Sequence, residues 1–145
     1  MTALKQHCDM PSDLDELSRK VVDCVFTVHK ELGPGFLEKI YEESLVSEME
    51  DRGMAVSRQK ALPVYYKNKK LSIQYKLDLM VEDQIILELK TVECILPVHE
   101  AQLISYMKQC KTSLGFVINF NETLIKNGIK RVVMSENLRT FAPSR

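Results

Sequence analysis

Two acids and a lysine interrupt an apolar run in Asp78-Leu79-Met80-Val81-Glu82-Asp83-Gln84-Ile85-Ile86-Leu87-Glu88-Leu89-Lys90: Asp78, Glu88 and Lys90. Glu82 and Asp83 form a polar break between two strand-like runs, Leu71 to Val81 and Ile85 to Lys90, and this predicts a hairpin turn. A hairpin folded about position 83 sets Asp78 opposite Glu88, and the two-residue period of a strand brings Lys90 to the face of Glu88. Opposed carboxylates on neighbouring strands repel, more so when buried, unless a cation or a shared proton lies between them. Ile85, Ile86, Leu87 and Leu89 are apolar on both faces, as in a central strand, so Glu88 is not expected to be simply solvated. Asp78 and Glu88 therefore read as ligands of magnesium, with manganese as a substitute, because hard divalent ions take carboxylate oxygens and leave other positions to water and phosphate. Lys90 would neutralise charge on a scissile phosphate, or orient and help deprotonate the attacking water. The plainer alternative is a surface Glu-x-Lys pair on a solvated strand.

Two further groups could contribute. His99, Gln102 and Tyr106 recur at spacings of three and four and form a polar stripe, which either faces a cleft and holds water or phosphate, or is the wetter flank of an amphipathic helix. Glu38 and Tyr41 stand about one turn apart, although an acid at a helix start is equally explained by the helix dipole. His7 and His29 have no such company and read as surface or boundary residues.

Hydrophobic period gives the helices and strands that carry these groups. After a Ser12 N-cap, Leu14, Leu17, Val21, Cys24, Val25, Val28 and Leu32 repeat at helical spacing, and Gly33-Pro34-Gly35 ends that helix. A second helix starts near Leu37, with Leu37, Ile40, Tyr41, Leu45 and Met49 on one face, and closes at Gly53. From Ala55 the period becomes two. Leu62, Val64 and Tyr66 alternate, Lys67-Asn68-Lys69-Lys70 reads as a turn, and Leu71, Ile73, Tyr75 and Leu77 alternate again, with Pro63 marking an edge strand or a strand start. Pro97 opens a third helix to Cys110, with Val98, Ala101, Ile104 and Met107 or Leu103 as its buried side. Leu114 to Phe120 is a fourth strand, and beyond Asn127-Gly128 a last strand is expected over Ile129 to Met134. The polar stretch from Ser135 to Arg145 is expected to fray. The order helix, helix, three strands, helix, strand and an optional extra strand predicts an α/β fold, a mixed central sheet flanked by helices.

At 145 residues with 45% hydrophobic and 28% charged, the chain is sized for one domain over residues 1–145, with its core at about 12–134. The formal net charge is zero, so global electrostatics do not announce a nucleic-acid binder. Locally, no acid lies between Asp51 and Asp78, while Arg52, Arg58, Lys60, Lys67, Lys69, Lys70 and Lys76 do. That run reads either as a hairpin edge guarded by lysines or as a phosphate-binding strip. Cys8, Cys24, Cys94 and Cys110 have no metal-finger spacing and are expected to be free, mostly buried thiols. Met1 to Ser12 lacks the features of a targeting segment and no apolar run could cross a bilayer, so a soluble cytoplasmic protein with no membrane contact is expected.

Several ordered motifs together resemble a known family. Gly35-Phe36-Leu37-Glu38-Lys39-Ile40-Tyr41 is similar to the signature of the GxxExxY protein family, a branch of the PD-(D/E)xK nuclease-like superfamily. The similarity continues through Tyr75-Lys76-Leu77-Asp78, Glu88-Leu89-Lys90, His99 to Tyr106, Ile118-Asn119-Phe120 and Ile129-Lys130-Arg131-Val132. The resemblance implies a restriction-endonuclease-like core with a magnesium site at Asp78, Glu88 and Lys90, completed by Glu38, with Gln102 near the active centre. Leu77 stands where the superfamily often has proline, which removes no ligand. The function expected from this resemblance is a magnesium-dependent phosphodiesterase acting on nucleic acid, most readily DNA, with the Leu89 carbonyl as a further ligand. Gln102 and Tyr106 would position phosphate or water, and Lys67, Lys69, Lys70, Lys76 and Arg131 would hold the backbone. The competing readings are a non-cleaving nucleic-acid-binding or assembly module and a hydrolase of a smaller phosphorylated substrate. A homodimer would suit cutting a duplex, but no stretch marks an interface.

Overall fold

The computed structural model describes residues 12–135. Helix α1 (Ser12–Leu32) buries Leu14, Val21, Cys24, Val25 and Val28 along one side, as helical spacing requires. Gly33 ends it at φ 72°, and its N–H returns to the His29 carbonyl at 2.7 Å. Helix α2 (Glu38–Asp51) buries Tyr41, Leu45, Val46, Met49 and one acid, Glu42. Leu37 and Ile40, expected on that buried face, are instead 76% and 41% exposed. Leu37 is the residue before the helix, and Ile40 lies on the flank of the packed row 41-45-49.

A five-stranded sheet follows: β1 (Val56–Tyr66), β2 (Lys69–Val81), β3 (Ile85–Lys90), β4 (Leu114–Asn119) and β5 (Ile129–Val133), side by side in chain order. Among the described strands only β3 and β4 run parallel, joined by the crossover helix α3 (Pro97–Cys110), and the sheet is therefore mixed. The extra strand allowed by the sequence exists as β5. Pro63 lies in the edge strand β1, beside a register shift between Pro63 and Tyr65. The turn into β2 needs only Lys67 and Asn68, both at positive φ, so Lys69 and Lys70 belong to the strand rather than to the turn.

The sheet separates two cores. Beneath α1 and α2 lie Leu79, Val81, Ile85, Leu87, Leu89, Phe116 and Ile118; beneath α3 lie Leu62, Leu77, Met80, Ile86 and Val117. Helix α3 meets the sheet at Gly115, where an added Cβ would come within 2.9 Å of Leu103 and 3.0 Å of Met107. Leu103, Tyr106 and Met107 form its buried side, whereas Val98 and Ala101, expected there, are exposed on the turns before that contact. Cys24 is buried and Cys110 half-buried, but Cys94 is exposed in the loop before α3, contrary to the expected burial. The Ser12 side chain, His7, Cys8 and the 136–145 tail lie outside the described residues. Among the described residues, no helix is long and apolar enough to cross a membrane.

Candidate active site

The hairpin register is the one that position 83 predicts. Val81 pairs with Ile85, Met80 with Ile86 and Leu79 with Leu87, and there the β2–β3 ladder stops. The next rung would hold Asp78 and Glu88. At that point side chains replace the ladder: Glu88 Oε2 accepts the Asp78 N–H at 3.1 Å, and Asp78 Oδ2 accepts the Leu89 N–H at 2.8 Å. Main-chain donors released by the parting strands thus keep partners. Beyond this fork β3 continues beside β4 to Lys90 opposite Asn119, while β2 continues with β1 alone.

A twist at Asp78 opens the fork. Leu77 faces the α3 core and Leu79 the core of α1 and α2, although two residues apart on a regular strand share a face. Opposite Asp78, Gln59 has φ 50° and falls in the gap between the pairs Arg58 with Leu79 and Lys60 with Leu77. The Gln59 side chain favours the charged form of Asp78 and donates to the buried Glu42 at 3.0 Å, while Arg58 Nε donates to the same acid at 3.1 Å. Arg58, Gln59 and Glu42 escaped the sequence reading. In the sequence Arg58 is one of a basic run, and no spacing sets Glu42 apart from the other acids of its helix.

The electrostatics show which groups meet. Burial, reinforced by the Asp78 charge, pushes Glu88 up to about 8, against the pull of the Asp78 N–H and Lys90. Burial raises Asp78 as well, opposed by the Leu89 N–H and by Lys90. Glu38 is raised by burial and then by the charge of Asp78, again opposed by Lys90. The Tyr106 hydroxyl is pushed up to about 12 by burial and by the charge of Glu88, with smaller effects from Tyr75 and Asp78. Asp78, Glu88, Glu38 and Lys90 therefore act on one another's charge, and Tyr106 feels Glu88 and Asp78. Among the described residues no group of three or more His, Cys, Asp and Glu side chains closes into a ready-made metal cage. The donor chemistry nonetheless fits a hard divalent ion, because the acids supply only oxygen and a cation between them relieves both the repulsion and the cost of burial.

The Gly-Glu-Tyr motif has a mechanical explanation. Gly35 turns the chain at φ 104°, and the Tyr41 hydroxyl donates to the Gly33 carbonyl while accepting the Phe36 N–H at 3.2 Å. The Tyr41 ring stacks on Phe120 with centroids 4.4 Å apart, and the Phe120 N–H donates to the Lys90 carbonyl at 3.0 Å. Tyr41 thereby ties the loop that presents Glu38 to the main chain of Lys90. Asn119, buried at the end of β4, accepts the N–H groups of Val92 and Asn121 and donates to the Val92 carbonyl, which fixes the chain just after Lys90.

The other expected site residues separate. Tyr106 is buried and feels the charge of Glu88, whereas Gln102, one turn earlier, is exposed. His99 caps its own helix, its Nδ1 accepting the Leu96 N–H at 2.9 Å. Lys67, Lys69, Lys70 and Lys76 lie on the exposed β1–β2 ribbon, and Arg131 lies on β5 at the opposite edge of the sheet, beside Asp15 and Asp23 of α1. His29, expected near the surface, is buried: its Nε2 bonds the Glu122 carbonyl at 2.8 Å and its ring stacks on Phe120.

The sequence model of a family described as PD-(D/E)XK nuclease superfamily matches residues 15–132, which takes in every element from α1 to β5. No curated protein matches the chain.

Proposed function

This chain belongs to the PD-(D/E)XK nuclease superfamily, and its mixed sheet with three helices agrees with a restriction-endonuclease-like fold; from that premise we propose that it is a magnesium-dependent phosphodiesterase acting on DNA. The observation that carries the proposal is the opposition of Asp78 and Glu88 at the fork of β2 and β3, with Lys90 acting on both. Asp78 and Glu88 would hold the ion, with Glu38 and the Leu89 carbonyl completing its oxygen ligands. A bound divalent ion would supply Lewis acidity to the phosphate and a lowered pKa to water. Lys90 would stabilise charge that develops on the scissile phosphate, a role suited to a fixed ammonium at a partly dry site. Tyr106, uncharged at neutral pH, would donate a hydrogen bond to phosphate or water, and Gln102 would act from the cleft rim. Lys67, Lys69, Lys70 and Lys76 would grip backbone phosphates without reading sequence.

The test is a cleavage panel of single-stranded DNA, duplex DNA, RNA and nucleotides with magnesium or with chelator, run beside Asp78→Asn. Magnesium-dependent scission of a polynucleotide that Asp78→Asn loses is the expected result. Binding that survives chelator with no scission of any substrate would instead identify a non-cleaving module.

A further inference from the structure

We propose that the β1–β2 ribbon is a docking strip for a single-stranded nucleic-acid segment, which it leads across exposed rings to the carboxylate fork. The proposal rests on the nuclease reading of that fork and adds the strandedness of its substrate.

Strand β3 pairs with Leu79–Val81 of β2, so among the described residues the stretch from Lys69 to Leu77 has a neighbouring strand on one side only. Pairing with Leu62 puts Tyr75 with Leu77 on the side of α3, and beyond the register shift that leaves Leu71 to Ile73 without β1 partners, Tyr66 pairs with Lys69 at the ribbon's tip. Four of these large side chains face solvent, Tyr66 at 62%, Leu71 at 39%, Ile73 at 72% and Tyr75 at 38% exposure. The row ends at the site: Tyr75 meets Tyr106 edge to face at 5.1 Å, and Tyr106 lies within electrostatic reach of Glu88. From Leu71 to Leu77 the strip spans roughly 20 Å at about 3.3 Å per residue.

Charge selects the occupant. Arg52 and Arg58 at the ribbon's base are paired with Asp23, Glu48, Glu42 and Glu43. None of Lys60, Lys67, Lys69, Lys70 and Lys76 forms an ion pair among the described residues, and the segment between Asp51 and Asp78 holds no acid. Lys60 pairs with Leu77 and Lys69 with Tyr66, and Lys67 lies over the Tyr66 ring at 5.5 Å. A second copy would set lysines against lysines, which repel. A polyanion is attracted, and exposed rings reward unstacked bases, whose faces a duplex keeps inside.

Binding of the full-length chain to a fluorescent oligodeoxythymidylate and to a duplex of equal length, followed by anisotropy in chelator so that nothing is cut, tests this. The double variant Tyr66→Ala/Ile73→Ser should weaken single-strand binding by about tenfold or more with its salt dependence unchanged, since stacking is lost and charge is kept. Lys67→Ala/Lys69→Ala should instead flatten the slope of log affinity against log salt by about 1 to 2. Wild-type affinity in the ring variant, no binding at all, a preference for the duplex, or a dimer in sedimentation that the ring variant dissolves would each overturn the proposal. Cleavage is absent from this readout, so a chain that binds as described but never cuts defeats only the nuclease reading. A chain that cuts but ignores Tyr66 defeats only the strip.

Discussion

Asp78 and Glu88 hold each other's strands: the Glu88 carboxylate accepts the Asp78 main-chain N–H at 3.1 Å, and the Asp78 carboxylate accepts the N–H of Leu89 at 2.8 Å. Two acids are thereby fixed face to face by the main chain, so neither can swing away to relieve the repulsion. A proton or a cation must do so.

That proton makes stability depend on pH. The unfolded chain releases the Glu88 proton near 4.5 and the folded chain near 8, so the contribution is complete below about 4.5 and is lost as pH rises to about 8. Denaturant melts in chelator should show this decline, which at 1.36 kcal/mol per pKa unit is at most about 5 kcal/mol, and Glu88→Gln should remove it. Magnesium should restore wild-type stability above neutral pH, because a cation favours the charged carboxylate, and should do nothing for Glu88→Gln. A wild-type melt flat from about pH 5 to 9 contradicts the buried, proton-holding Glu88.

Lys90→Ala should lower magnesium-dependent cleavage by about 10²-fold or more while the melting transition remains cooperative, because the lost ammonium acts on charge that develops during reaction. Steady-state turnover with matched circular dichroism measures both. Unchanged turnover would falsify the role given to Lys90.

Tyr41→Phe keeps the ring on Phe120 but removes the hydroxyl that serves Gly33 and Phe36. A stability loss of about 1–3 kcal/mol is expected, from two main-chain groups left without their partner. A drop in magnesium affinity should accompany it, because the loop that presents Glu38 is loosened. Calorimetric titration in the variant measures that second effect, and equal affinity would mean that Glu38 is no ligand.

Gly128→Ala should destabilise by about 1–3 kcal/mol, because a Cβ there would come within 2.4 Å of the Asn119 carbonyl oxygen, a backbone atom that cannot step aside. Gly115→Ala meets only the movable ends of Leu103 and Met107, at 2.9 Å and 3.0 Å, and should lose less. Thermal melts rank the two, and the reverse order would contradict the packing of the 125–128 turn on β4.

Much of this fold was legible in one dimension because its signals are local. Pro97 and the period that follows marked α3 to the residue, and the break at Glu82-Asp83 set the register that opposes Asp78 and Glu88. The faces of α2 and α3 were read less well, since Leu37, Ile40, Val98 and Ala101 are apolar residues at positions where no neighbouring element arrives. His29 was misjudged for the converse reason: the carbonyl and ring that bury it belong to Glu122 and Phe120, more than ninety positions away.

The elements, the β2–β3 register and the acid-acid-lysine set are encoded locally, because hydrophobic period and turn chemistry act between near neighbours. The twist at Asp78 is a product of the assembled fold, and it sends Leu77 and Tyr75 to the α3 side while Leu79 and Val81 face α1 and α2. Strict alternation along Leu71 to Val81 would have kept all of them on one side. Opposite the rotation stands Gln59 at φ 50°, bonded to Glu42 from another helix, and contacts between distant segments leave no period in the chain to be read.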